Sequence, residues 1–211
     1  MTDPGGRFIF LKGTIAHHTY TFASIYSPNR GQHKFFTKTL AKLEKFRAGL
    51  LILAGDLNVP LDPRVDTTRG TSTVPEHGLH AMRRALTGMG LVDCWRVAHP
   101  DDRDFSYYSS VYRQYSRIDY IFMPQESLAL LRDASIGIIN QSDHAPNTVY
   151  GDPEADRPRL EHAPTDALPR SSRTTHRTRT GHTDTAEKGV NLLDITAREE
   201  ATGTRLTSKY Q

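Results

Sequence analysis

Residues 50–58 read Leu-Leu-Ile-Leu-Ala-Gly-Asp-Leu-Asn, and no other stretch of the 211 residues limits the fold as much. The apolar run is entered from Gly49, stopped by Pro60 and does not alternate, which is the mark of a buried strand. It ends in Asp56 and Asn58. Two residues apart, they point the same way on an extended backbone. A carboxylate and an amide presented together at a strand end can hold a water or a metal beside a phosphate. Gly, Asp, Asn and Pro are also ordinary turn residues, so the pair carries weight only with partners from elsewhere in the chain.

Around this strand the periodicity alternates between two and 3.6. Residues 7–15 and 19–26 read as a hairpin turning at Ala16-His17-His18, with Tyr20, Phe22, Ser24 and Tyr26 on one side of its second strand. Ser27-Pro28-Asn29-Arg30-Gly31 ends it. A helix is predicted over 32–46, where Phe36, Leu40 and Leu43 share a face and Lys34, Lys38, Lys42 and Lys45 lie on the solvated remainder. Residues 59–78 hold Pro60, Pro63, Gly70, Pro75 and Gly78 and read as a long loop. Leu79, Met82, Leu86 and Met89 mark a second helix, and residues 91–95 a short packed segment anchored by Trp95. Residues 105–109, 116–123 and 134–140 read as further strands. Asp119 falls inside the second of these, and a carboxylate there is costly unless it finds a donor; Arg117 is the nearest candidate in sequence. Ser142-Asp143-His144 follows in a loop.

Hydrophobic residues are 36% of the chain, low for a single compact unit. The deficit collects at the end. Beyond Tyr150, four prolines interrupt any regular element, and residues 170–182 are rich in Arg and Thr without an acid. We therefore expect one domain over 7–150 and a mostly disordered Arg/Thr/Pro-rich tail over 151–211. A net charge of +3 permits a polyanionic partner without demanding one. The single cysteine, Cys94, excludes an internal disulfide and fits a reducing compartment. No apolar run approaches a membrane span, so the expectation is an intracellular protein with no membrane partner.

Four blocks then occur in a fixed order: Ile25-Tyr26-Ser27-Pro28-Asn29, Gly55-Asp56-Leu57-Asn58, Ser116-Arg117-Ile118-Asp119-Tyr120 and Ser142-Asp143-His144. Together they resemble the endonuclease/exonuclease/phosphatase superfamily, which includes exonuclease III, apurinic endonucleases and DNase I. The nearest likeness is the endonuclease domain of LINE-type non-LTR retrotransposons. Leu57 stands where Phe is usual, and the resemblance covers about residues 7–150. It implies an α/β four-layer sandwich, two packed β-sheets with helices outside. It implies hydrolysis of DNA phosphodiester bonds with Mg2+, or Mn2+ in its place, DNA as partner, no obligate protein partner and a nuclear location.

The resemblance also assigns roles. Asp56 orients or deprotonates the attacking water, Asn58 supports it and the phosphate, and His144 contacts the scissile phosphate or moves a proton. Asp119 fixes the His144 tautomer, which would account for an acid in an apolar strand. Tyr26 completes the catalytic set, and Asn29 and Ser106 are its substrate contacts. Asp56, Asn58 and Asp143 are the implied metal ligands, hard oxygen donors suited to magnesium. In the superfamily an Asn-bearing strand and a strand ending in a metal-binding Glu precede the hairpin. Neither is expected here, and Glu44 and Glu76, in a helix and a loop, do not replace them. The expectation is an incomplete domain, short by roughly a third to two-fifths of a typical one, with weakened metal affinity and reduced or absent activity. Two alternatives remain: a superfamily phosphatase or phospholipase, and a non-catalytic retroelement fragment with weak affinity for nucleic acid.

Overall fold

The computed structural model describes residues 1–15, 17–140, 142–151, 194–200 and 203–209. The apolar run forms β3 (Leu50–Asp56), buried along almost its whole length. Its two faces enter different cores. Leu51 and Leu53 join Phe8, Phe10, Ala23, Ile25 and Phe122 under the helices, whereas Ile52 and Ala54 join Trp95, Ile121, Met123, Ala134 and Val149. Covering on both sides is why the run does not alternate.

The hairpin β1 (Phe8–Ile15) and β2 (His18–Tyr26) lies beside it, antiparallel within itself and with β2 parallel to β3. Helix α1 (Gln32–Phe46) makes the crossover between β2 and β3, and its buried residues are Gln32, Phe36, Thr39, Leu40 and Leu43. The predicted helix matches these bounds. Within the expected loop, Pro63–Asp66 is a short helix, α2, capped by the Asp62 carboxylate. Helix α3 (Glu76–Gly88) begins slightly before the first apolar residue and packs with α1 on the same face of the sheet. β4 (Leu91–Asp93) leads into α4 (Cys94–Ala98), whose Cys94 and Trp95 fill the inter-sheet core.

The strand predicted at 116–123 is two elements. β6 (Gln114–Ser116) pairs with β5 (Tyr107–Ser109) in a small ribbon, while β7 (Asp119–Pro124) lies antiparallel to β3 and β4. The order of the first sheet is β1-β2-β3-β7-β4. The break falls at Arg117-Ile118 because Arg117 does not pair with Asp119, as sequence proximity suggested. Its guanidinium turns inward onto Asp66 Oδ1, through Nε at 2.9 Å and Nη2 at 2.8 Å, and onto Asp93 Oδ2 at 2.6 Å.

A second sheet packs against the first. β8 (Leu131–Ile136) begins and ends earlier than the predicted 134–140, and β9 (Asn147–Gly151) was not anticipated. β10 (Asp194–Glu200) and β11 (Gly203–Lys209) complete the order β10-β11-β9-β8. Most of the stretch expected to be disordered, residues 152–193, lies outside the described residues. β10 and β11 have regular backbone where the sequence pattern promised none. An open strand edge recruits a strand through main-chain hydrogen bonds, which need no side-chain periodicity. Helices, first sheet and second sheet thus form an α/β sandwich of the DNase I type among the described residues.

Gly55 carries a specific constraint. A Cβ there would lie 1.9 Å from the Ile25 carbonyl oxygen across the β2–β3 pairing. Only glycine lets the two strands approach where Asp56 leaves the sheet. Gly55→Ala is expected to cost about 3 kcal/mol or more, as steric overpacking against backbone does. Thermal unfolding of the purified variant measures it, and a melting temperature like the parent's would show that the strands separate easily.

Candidate active site

The strand pairings bring three of the four sequence blocks to one rim. Asp56, the last residue of β3, sits opposite Tyr26 of β2 on one side and Asp119 of β7 on the other. The fourth block arrives by a different route. Tyr107 and His144 form an isolated antiparallel bridge, Ala145 N–H donates to the Ser106 carbonyl at 2.7 Å, and Tyr108 N–H donates to the Asp143 carbonyl at 3.0 Å. The Ser-Asp-His loop is thereby attached to the β5 segment, and the His144 ring packs against Tyr107 at 4.8 Å between centroids. One ligand atom from each of Asp56, Asp119 and His144 falls within a 4.8 Å sphere of mutual separation.

The hydrogen bonds define separate tasks. Asp119 Oδ2 lies 2.9 Å from His144 Nδ1 and accepts from the Ser106 hydroxyl at 2.7 Å. The Ser106 oxygen in turn accepts from Ile118 N–H and Asp119 N–H, each at 3.1 Å. An anionic acceptor at Nδ1 stabilises the tautomer that carries its proton there. Ser106, expected among the substrate contacts, is wholly buried and its hydroxyl serves Asp119. It holds the carboxylate from beneath and does not face the rim.

Asp56 Oδ1 accepts from Asn58 N–H at 2.7 Å. Asn58 takes a left-handed backbone, φ 52°, which bends the chain so that its Nδ2 donates to the Ser27 carbonyl at 2.8 Å. The same-direction geometry of a straight strand therefore ends at Asp56, and Asn58 sits in a turn with its amide tied to Ser27. Gln32 Nε2 fastens that turn to α1 by donating to the carbonyls of Asn29 and Asn58. Tyr26 stands beside Asp56 with the Arg7 guanidinium over its ring at 4.9 Å, and Asn29 is exposed on the following turn. Asp143 is exposed, and its carboxylate is not among the three that converge.

The electrostatics fit a cation-binding rim. Burial, and then the neighbouring Asp119 charge, push the Asp56 carboxyl up to about 7, against smaller help from Asn58 N–H and His144. Burial pulls the His144 imidazole down, but its hydrogen bond to Asp119 and the charges of Asp119, Asp56 and Asp143 outweigh this and raise it. Buried negative charge in excess of its donors is what a divalent cation relieves. Asp56 offers a carboxylate oxygen not used by Asn58, a donor that suits a hard cation keeping several waters.

Sequence reading missed the supports: Tyr107 against the imidazole, and Asp66 and Asp93 under Arg117. A buried arginine in a strand break signals that distant carboxylates exist but does not name them.

No protein-family model matches the chain. Solved structures do. NExo of Neisseria meningitidis, described as a 3′-5′ exonuclease, superposes with a TM-score of 0.56 at 21% identity, over 71% of this chain and 66% of that one. A second Neisseria NExo structure, described as a 3′ phosphatase bound to a product DNA hairpin, gives 0.53 at 22% over the same shares. An AP endonuclease from Archaeoglobus fulgidus gives 0.56 at 19%, again over 71% and 66%. The endonuclease domain of the telomere-specific non-LTR retrotransposon TRAS1 gives 0.53 at 16%, over 72% and 67%. The chain has the fold of these exonuclease, AP endonuclease and retrotransposon endonuclease structures, and spans about two thirds of the length of the first of them.

Proposed function

We propose that this chain hydrolyses phosphodiester bonds in DNA with a divalent cation, Mg2+ or Mn2+, at the Asp56–Asp119–His144 rim. The observation that carries the reading is the convergence of those three side chains from blocks far apart in sequence. The nucleases that share the fold support it. Asp56 and Asn58 would hold the cation, which neutralises charge on the phosphate when bound, and the exposed Asp143 would join them only by moving in from its loop. Asp56, held ionised by the cation it would bind, orients the attacking water or accepts its proton. His144, raised in pKa and fixed by Asp119, presents its ring to the phosphate oxygens as a hydrogen-bond donor. Tyr26 and Asn29 contact the flanking phosphate.

Nicking of supercoiled plasmid tests this. The expected result is Mg2+- or Mn2+-dependent nicking that EDTA stops and that falls at least about a hundredfold in His144→Ala. Cleavage confined to a 3′-phosphorylated oligonucleotide or to a lipid head group would move the reading to a phosphatase or phospholipase. Salt-sensitive DNA binding unchanged by Asp56→Ala and His144→Ala, with no cleavage, would leave a binding fragment.

Metal affinity follows from the Asp56 carboxyl. A protonated carboxyl cannot ligate, so Mn2+ affinity measured by calorimetry is expected to fall about tenfold per pH unit below about 7. A pH-independent affinity would place the cation elsewhere.

A further inference from the structure

Asp119 has two carboxylate oxygens, and the site described so far accounts for one. Oδ2 takes the Ser106 hydroxyl and His144, whereas Oδ1 is buried and has no hydrogen-bond partner. Asn147 Oδ1 is buried and equally unpartnered. The two side chains line one small cavity between the sheets, about 10 Å³ in volume, together with Trp95, Arg117 and Ser135.

Asn147 begins β9, and Val149, two residues on and so on the same face, belongs to the inter-sheet core. Its neighbours on that face, Ala134 and Ile121, are apolar. An amide only 8% exposed there costs stability unless it bonds to something. The cavity has about the volume of one water, and two acceptors match the two protons a water donates.

We propose that Asn147 is a positioning residue which, through a single internal water in the inter-sheet cavity, holds the second oxygen of Asp119. The water donates one proton to Asp119 Oδ1 and the other to Asn147 Oδ1. Ser106 fixes Oδ2 from beneath, and Asn147, through the water, fixes Oδ1 from the inter-sheet cavity. The plane of the Asp119 carboxylate, and with it the direction of the His144 ring, is then set from both ends. No covalent step is involved. The inference rests on the reading of Asp119 and His144 as the reactive pair.

The test uses the full chain with Asn147→Leu, which keeps the volume and removes the acceptor, and Asn147→Ser, which restores a polar partner. In crystals of the parent protein we expect one ordered water within hydrogen-bond distance of both oxygens, absent in Asn147→Leu. In proton NMR at fixed pH, the downfield resonance of the His144 Nδ1 proton is expected in the parent, shifted or lost in Asn147→Leu and recovered in Asn147→Ser. Where the parent cleaves DNA, kcat is expected to fall about tenfold in Asn147→Leu with KM unchanged, the scale of effect of a supporting partner. A dry cavity, an Asn147 amide turned away from it, a metal bonded to Asp119 Oδ1 in Mn2+-soaked crystals, or a folded Asn147→Leu with the parent's imidazole resonance would each overturn the proposal. The water and the resonance are read without any cleavage, so an inactive parent defeats the nuclease reading alone.

Discussion

Asp56→Asn is expected to abolish metal-dependent cleavage and, in the same protein, to raise thermal stability in EDTA at pH 8. The amide keeps the shape and can still accept from Asn58 N–H. It removes a buried charge beside Asp119. The folded protein holds the Asp56 proton more tightly than the unfolded chain does, with the carboxyl raised from 3.8 to about 7. The Asp56 contribution to the stability of the metal-free parent therefore falls as pH rises from about 4 to about 7 and levels off above. Keeping the group ionised at pH 8 costs on the order of 4 kcal/mol. Asp56→Asn lacks this slope, so its melting temperature gains most at pH 8 and little at pH 4. Saturating Mn2+ stabilises the parent and not the variant, which reverses their order. A variant less stable than the parent at pH 8 in EDTA would show that Asp56 is well solvated or well paired. Under the proposed function, stability and activity would oppose one another at this residue, because a charge is held where water is scarce.

The second large effect is expected far from the substrate. Arg117→Met should destabilise the protein by about 3 kcal/mol, read as a lower urea midpoint, because it takes the closest cation from the buried Asp66, leaving it Arg96 at 3.2 Å, and from the partly buried Asp93. Arg117 binds Asp66 through two nitrogens and Asp93 through a third, and stacks between the Trp95 and Tyr120 rings at 5.2 and 4.6 Å. Its backbone N–H also donates to the Asp66 carbonyl at 2.7 Å, and the Tyr120 hydroxyl donates to the Arg117 carbonyl at 2.9 Å. Arg117→Lys cannot span both acids with one ammonium and should recover little. Combining Arg117→Met with Asp66→Asn is expected to be milder than the sum of the single variants, since the second change removes one stranded charge. Losses that simply add would mean that the two residues act independently. The damage should also reach the rim, because Asp119 lies two residues beyond Arg117 and depends on the same chain break for its direction.

The contrast between Asp56 and Ser106 shows how far the residues alone could be read. Asp56 was legible because an apolar run with a polar end states both the strand and where it emerges. Ser106 was expected among the substrate contacts, and in the structure its buried hydroxyl is bonded to Asp119. Its burial depends on the loop of residues 142–146 being bridged onto β5, and no local pattern near Ser106 announces that. Asn58 shows the same limit on a smaller scale, since a two-residue alternation cannot foresee the left-handed turn that redirects it.

By itself the sequence determined the hairpin, α1, the both-sides burial of β3 and the order of the four polar blocks. Each of these is written in residues a few positions apart, through hydrophobic periodicity and the polar residues that interrupt it. Only the tertiary structure decided that Arg117 answers to Asp66 across 51 residues, that Ser106 serves Asp119 from below, that β6 and β7 part company, and that the edge of β9 is extended by β11. Ion-pair partners are chosen by proximity after the chain has closed, and an edge pairs through main-chain groups that every residue carries alike. Neither choice leaves a mark on the local sequence.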